Sequence, residues 1–417
     1  MTSETAAPGT QGFWRNRWWI VVACAVGLTV GTGSILVLAF GVFLKPVTEE
    51  MGWSRGGFSA ALLVTGVCSV LFTPIFGRML DRFGIRRSVL PMVIVLSLAI
   101  ASLGMMGPYL IVLYLIFAVA ASGGPAQGPM TYSKAIASWF DKERGLALGI
   151  ATTGSGIGAI LMPLEAQYLI DHFGWREAYF GLALTNFVLA FSAFALVIRD
   201  PPGYVQNARG LGAAGSLPPG ITGREALRTG RFWSLITIFF IGGLTINGTL
   251  AHVVALLTDH GMPTDIAARV LSSSGIAIII GRVLGGYLLD RYFAPYVGAV
   301  VLALPAIGCA LLASGVGGPA PIIAVLLCGA GLGVEIDMMG FFVSRYFGIR
   351  TFGEIYGYMF PGFAVGVGLG PALMGFDYDI FHSYNLALIG FAVLLVIAAF
   401  LCSRLGPYAF PKAEPRR

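Results

Sequence analysis

The stretch FTPIFGRMLDRFGIRR (Phe72–Arg87) carries an apolar run into a cluster of charge. A second stretch, GRVLGGYLLDRYF (Gly281–Phe293), repeats its form, with Asp290 where the first has Asp81. Another block keeps nearly the same offset. Trp139–Phe140, followed by Arg144, Gly149 and Gly154, recurs as Tyr346–Phe347, Thr351, Gly357 and Gly362. A common offset means that the chain consists of two like halves.

The composition says where those halves reside. The 417 residues are 57% hydrophobic and 11% charged, with a mean hydropathy of +0.83. A soluble domain carries about 25% charge, so this chain belongs in a lipid bilayer. A helix crossing the hydrocarbon core needs about 20 mostly apolar residues. Twelve such runs lie near 18–43, 56–80, 88–106, 109–133, 145–170, 176–198, 232–258, 266–289, 294–315, 319–344, 353–376 and 384–404. The expected fold is an all-α membrane protein, with twelve transmembrane helices in two six-helix, pseudo-symmetric halves. Residues 1–198 form the first half and 232–417 the second. Residues 199–231, rich in Pro and Gly, form a flexible cytoplasmic linker.

Most of the 26 Lys and Arg sort to one side of this layout, while the other side holds Lys45, Arg55, Arg176 and Arg269. By the positive-inside asymmetry both termini are cytoplasmic, and the expected location is the plasma (inner) membrane. The net charge of +6 therefore reports topology and not a nucleic-acid partner. The first apolar run is too long for a signal-peptide core and lacks a cleavage pattern. Cys24, Cys68, Cys309, Cys328 and Cys402 are scattered through the runs, which argues against a disulfide framework or a CxxC metal site. There is no GxxxxGK[ST] loop, His–Cys cluster or serine elbow, so neither an enzyme nor a cofactor is expected. One chain carries both halves, so a monomer suffices.

Gly77, Asp81, Arg82, Gly84, Arg86 and Arg87 lie between the second and third runs. They resemble the G-x-L-x-D-R-x-G-R-R signature of the major facilitator superfamily. The resemblance implies a conformational role at the inner face, shared by Asp290 of the repeat. Two further stretches, FGVFLKPVTEEMGWSRGGFS (Phe40–Ser59) and SWFDKERGLALGIATTGSGIGAILMP (Ser138–Pro163), are similar to the monocarboxylate transporter and oxalate:formate antiporter families.

Arg282 stands in an apolar run eight residues before Asp290, or about 12 Å by helical rise. That depth is beyond easy snorkelling, and an unpaired charge there costs about 2.5 kcal/mol or more. Arg282 should therefore face an internal cavity and have a partner. The resemblance implies that this arginine grips a substrate carboxylate, for which a guanidinium offers a planar pair of donors. Glu335 and Asp337 are candidate partners in the tenth run. Two residues apart, they sit on different helix faces. Either could carry a coupling proton, or one could be the permanent counter-ion of Arg282. Glu165 and Asp171 are expected near the membrane interface.

Two departures from those families bear on the substrate. Ile278 stands where animal-type monocarboxylate transporters have an aspartate, and Leu36–Leu38 where they have a lysine. Phe363 stands where the oxalate-type antiporter has a second cation. One cation instead of two favours a single carboxylate. Gln127, Tyr132, Asn247 and Tyr358 are further substrate-binding candidates, and His252 ranks lower. The expected function is secondary active transport of monocarboxylates, lactate- or pyruvate-like or larger, with proton symport and alternating access. The alternatives are an organic-anion antiporter and an exporter of amphipathic compounds.

Overall fold

The computed structural model describes residues 17–140, 144–197, 220–315, 317–348 and 351–410. Twelve helices among them are long and apolar enough to cross a membrane. They are α1 (Trp18–Leu38), α2 (Arg55–Phe83), α3 (Ile85–Gly104), α4 (Leu110–Gln127), α5 (Arg144–Phe173) and α6 (Trp175–Val197) in the first half. The second half holds α7 (Gly230–Asp259), α8 (Thr264–Arg291), α9 (Ala294–Ser314), α10 (Ala320–Tyr346), α11 (Phe352–Phe381) and α12 (Asn385–Ser403). Each falls on one of the twelve apolar runs.

Local chemistry sets the ends and breaks. Gly84 alone separates α2 from α3, at φ 82°. That left-handed conformation is cheap only for glycine, so this signature residue makes the hairpin turn. The Ser54 side chain caps α2 by accepting from the Gly57 N–H at 3.0 Å, and Thr229 caps α7 in the same way. Regular helix in α1 stops at Thr29 and resumes as a wider π-helical turn over Gly33–Leu38. The GTGS at this break (Gly31–Ser34) is a poor helix former. A separate helix, Phe40–Met51, follows. α4 ends in a tight turn at Gly124–Gln127, and a new helix starts at Pro129, as proline's missing N–H requires.

Helix pairing shows the internal symmetry. α1 packs on α5, α2 on α4 and α3 on α6; their counterparts pair as α7 on α11, α8 on α10 and α9 on α12. The halves meet through α2 on α11 and α5 on α8, which are equivalent contacts under the same symmetry. α7 is the most enclosed helix, with 94% of its central window buried.

The α5–α8 crossing depends on two glycines. A Cβ on Gly156 would lie 2.3 Å from the Ile279 side chain, and one on Gly275 would lie 2.4 Å from the Gly156 carbonyl. Both are impossible contacts, so the backbones touch directly, as small residues permit between membrane helices.

The expected linker is partly folded. Thr222 and Glu225 form a capping box on the short helix Gly223–Leu227. The segment is tied to the second half where the Ile221 N–H donates to the Phe347 carbonyl at 3.0 Å. Residues 198–219 lie outside the described residues.

Candidate functional site

α8 carries Arg282 into the contact between the halves. Its Nε lies 3.2 Å from Asp337 Oδ2 on α10 and donates to the Gly333 carbonyl at 3.3 Å. Its Nη1 reaches the other half, donating to the Thr152 carbonyl at 2.6 Å and to Ser155 Oγ at 3.1 Å, both on α5. Ser155 Oγ in turn donates to the Thr152 carbonyl at 2.9 Å. Among the described residues Nη2 has no hydrogen-bond partner.

The side chain of Arg282 is 14% exposed and that of Asp337 40%. Asp337 lies nine residues inside the Tyr346 end of α10, about 13 Å by helical rise. A carboxylate that deep along its helix, paired with an arginine of the inter-half contact, keeps an accessible edge. The cluster thus combines a fixed cation, one counter-ion, an accessible edge and a free guanidinium nitrogen. It is suited to binding an anion.

Of the two acids considered, Asp337 is the partner of Arg282. Glu335 is 1% exposed and lies against α7, where a Cβ on Gly242 would sit 2.1 Å from its Oε1. Neither Glu335 oxygen has a partner among the described residues. An unpartnered buried polar group is costly, and more so when charged.

The other candidates are dispersed through the bundle. Gln127 is 3% exposed; its Oε1 accepts from Asn186 Nδ2 at 2.9 Å, and Ser97 donates to Asn186 Oδ1 at 2.8 Å. Asn186 also donates to the Val30 carbonyl. Tyr132 is buried against Gly27 and stacks on Phe194 at 5.7 Å. Asn247 Nδ2 bonds back to the Gly243 carbonyl of its own helix at 3.0 Å. Tyr358 is exposed and donates to Glu354 at 2.8 Å. None of these side chains hydrogen-bonds Arg282.

In the signature, Gly77 and Arg82 lie on the last turns of α2, and Arg86 and Arg87 are exposed at the start of α3. Asp290 is exposed on the last turn of α8. The Asp81 side chain lies outside the described part of the structure.

At the opposite end of the bundle a second polar network joins the halves. Arg55 begins α2, and its two terminal nitrogens reach the two oxygens of Asp259 on α7, Nη2 to Oδ1 at 3.0 Å. Lys45 Nζ lies 2.6 Å from the same carboxylate. The Arg55 guanidinium also donates to Tyr384 and lies 3.7 Å from the centre of the Tyr378 ring. Asp379 accepts from the backbone N–H groups of Arg55 and Gly56, at 2.9 and 2.8 Å. Beneath them, fully buried His252 bridges Ser59 Oγ and the Pro371 carbonyl, each at 2.9 Å. These contacts close this end of the molecule.

The sequence model of the Major Facilitator Superfamily matches residues 19–361. The chain belongs to this superfamily. Mouse monocarboxylate transporter 11 is 25% identical over 430 aligned residues, covering 100% of this chain and 91% of that protein. The oxalate:formate antiporter of Oxalobacter formigenes is 26% identical, covering 63% of this chain and 60% of the antiporter. The MFS-type transporter pytF of Aspergillus terreus is 28% identical, over 69% of this chain and 93% of that protein.

The crystal structure of a bacterial homologue of the human lysosomal transporter Spinster shares the fold. It is inward-facing and unoccupied, and aligns with a TM-score of 0.67 at 19% identity over 93% of this chain and 97% of that one. This superfamily member is a multi-pass membrane transporter, and its family and fold are those of transporters, not enzymes.

Proposed function

We propose that this superfamily member is a secondary active carrier of monocarboxylates, working by alternating access with protons as the coupling ion. The observation that carries the reading is Arg282. It is a guanidinium at the meeting of the halves with, among the described residues, a single carboxylate partner and an unbonded Nη2. A carboxylate can take Nη1 and Nη2 together as a planar pair. The similarities to mouse monocarboxylate transporter 11 and the oxalate:formate antiporter support this chemistry. Phe363, 7% exposed, occupies the place of a second cation, which favours one carboxylate over two.

Coupling follows from charge balance. A substrate carboxylate on Arg282 competes with Asp337 for the same cation, and a proton on Asp337 would restore neutrality. Glu335 is the second proton-carrying candidate, because its enclosed site penalises charge. The positive-inside asymmetry of the basic residues supports cytoplasmic termini, in our reading within a plasma (inner) membrane. The Arg55 end then faces outward and is shut, and water reaches Asp337 from the cytoplasm. Gly77, Asp81, Arg82, Gly84, Arg86, Arg87 and Asp290 would govern closure of the inner face.

The test is uptake of labelled mono- and dicarboxylates by proteoliposomes with and without an inward proton gradient, for wild type and Arg282→Ala. Monocarboxylate uptake that requires the gradient and vanishes in the variant supports the proposal. Gradient-independent exchange moves the coupling to antiport. Unaltered uptake of every acid by Arg282→Ala overturns the assignment.

A further inference from the structure

We propose that Ser155 on α5 is the first half's hydrogen-bonding contact with the substrate carboxylate, so that Arg282 and Ser155 clasp it from opposite halves. This rests on Arg282 being the carboxylate-binding cation. Arg282 Nη1 donates to both Ser155 Oγ, at 3.1 Å, and the Thr152 carbonyl, at 2.6 Å. Both Nη1 protons are thus engaged, so a carboxylate oxygen that binds Nη1 takes the place of one of these acceptors, and the longer contact, to Ser155, is the one to yield. A substrate engaging Nη1 and Nη2 places that oxygen about 2.8 Å from Nη1, next to Ser155.

The hydroxyl can serve both states, since it donates and accepts. In the structure it accepts from Arg282 and donates to the Thr152 carbonyl at 2.9 Å. With substrate bound, it turns its proton from that carbonyl to the carboxylate oxygen. No buried polar group loses its partner in the exchange, which avoids the penalty for an unmade hydrogen bond. The neighbouring Gly156 brings α5 against α8 and so holds Ser155 at this range.

A purely local role would look different. Serines in helices often return a hydrogen bond to their own carbonyls, as Ser273 does to Val270 and Ser314 to Leu311. Ser155 does this too, but it also receives a charged donor from the other half of the molecule.

The experiment compares Ser155→Ala, Ser155→Thr and Arg282→Ala in proteoliposome uptake of a transported monocarboxylate. Loss of one hydrogen bond to a charged group should raise KM about tenfold in Ser155→Ala. Maximal turnover should stay near wild type, because the contact serves bound substrate and transition state alike. Ser155→Thr, which keeps the hydroxyl, should restore KM.

A second measurement does not require activity of the alanine variant. Ser155→Cys, made with Cys68→Ser to remove the one native cysteine that is not buried, is treated with a charged thiol reagent. Saturating monocarboxylate should protect the new thiol from modification. Unchanged KM in Ser155→Ala while Arg282→Ala is inactive overturns this inference alone, as does labelling indifferent to substrate. Normal transport by Arg282→Ala overturns the carboxylate reading beneath it.

Discussion

Replacing Asp259 with asparagine should open the end of the molecule that the structure shows closed. Asp259 is the shared anion of Arg55 and Lys45, with Arg55 bound through both terminal nitrogens. The Arg55 side chain is 11% exposed and that of Asp259 20%. The pair is therefore neither an exposed bridge, worth about 0–1 kcal/mol, nor a deeply buried one, whose breakage costs about 3–5 kcal/mol. A cost of about 2 kcal/mol is appropriate, which is roughly a thirtyfold change in the closed-to-open ratio at 1.4 kcal/mol per decade.

The assay is a distance measurement between spin labels at Glu49 and Thr264, which line facing walls of a cavity of about 440 Å³ between the halves. In Asp259→Asn the weight of the longer distances should rise about thirtyfold relative to the shorter ones. The charge-exchanged pair Arg55→Asp with Asp259→Arg should return part of the closed population. An unchanged distance distribution in a folded Asp259→Asn protein would refute the claim that this ion pair holds the end shut.

Other consequences are as direct. Arg282→Lys keeps the charge but loses the two-pronged geometry, so KM for a monocarboxylate should rise at least about tenfold in uptake assays. Gly242→Ala drives a Cβ to 2.1 Å from Glu335 Oε1; thermal unfolding in detergent should show a loss of about 2 kcal/mol, recovered in the double variant with Glu335→Ala. Gly156→Val should abolish uptake while leaving membrane insertion intact, because α5 and α8 can no longer meet; immunoblotting of the membrane fraction checks the insertion.

Hydrogen bonds from Arg176 and Trp175 hold the Glu50 carboxyl below its usual value. A lowered folded-state value gives stability above the ordinary carboxylate range, about 4.3, that is lost as pH falls through the folded value. The melting temperature should therefore drop on acidification below that range, and drop less in Arg176→Ala.

The fold was legible because its determinants are local. Apolar runs, the glycine between α2 and α3 and the prolines that interrupt α4 each act within a few residues of where they stand. Depth along a helix is also local, so the abnormality of Arg282 could be read from its eight-residue separation from Asp290. Its partner could not be settled that way. Glu335 and Asp337 differ by two positions and only packing decides between them: one faces Gly242 of α7, the other Arg282.

What went unread is contact across the halves. Ser155 looks like any helical serine until α8 is laid beside it. Arg55 and Lys45 read only as topology signals, because Asp259 is 204 residues from Arg55. The sequence offers Gln127 as a substrate-binding candidate, but nothing near it in the chain points to Asn186 as its partner.

The meeting of Gly156 with Gly275 has a mechanical consequence. Side chains that interlock behave as gear teeth, and one helix can tilt over another only by unmeshing them. Here the two backbones touch, and the teeth are reduced to Ile279 and Ile160, each resting on a glycine of the facing helix. The α5–α8 crossing can thus act as a bearing, on which one half rolls against the other with little change in contact energy. Friction and preference are left to the polar groups on either side of it.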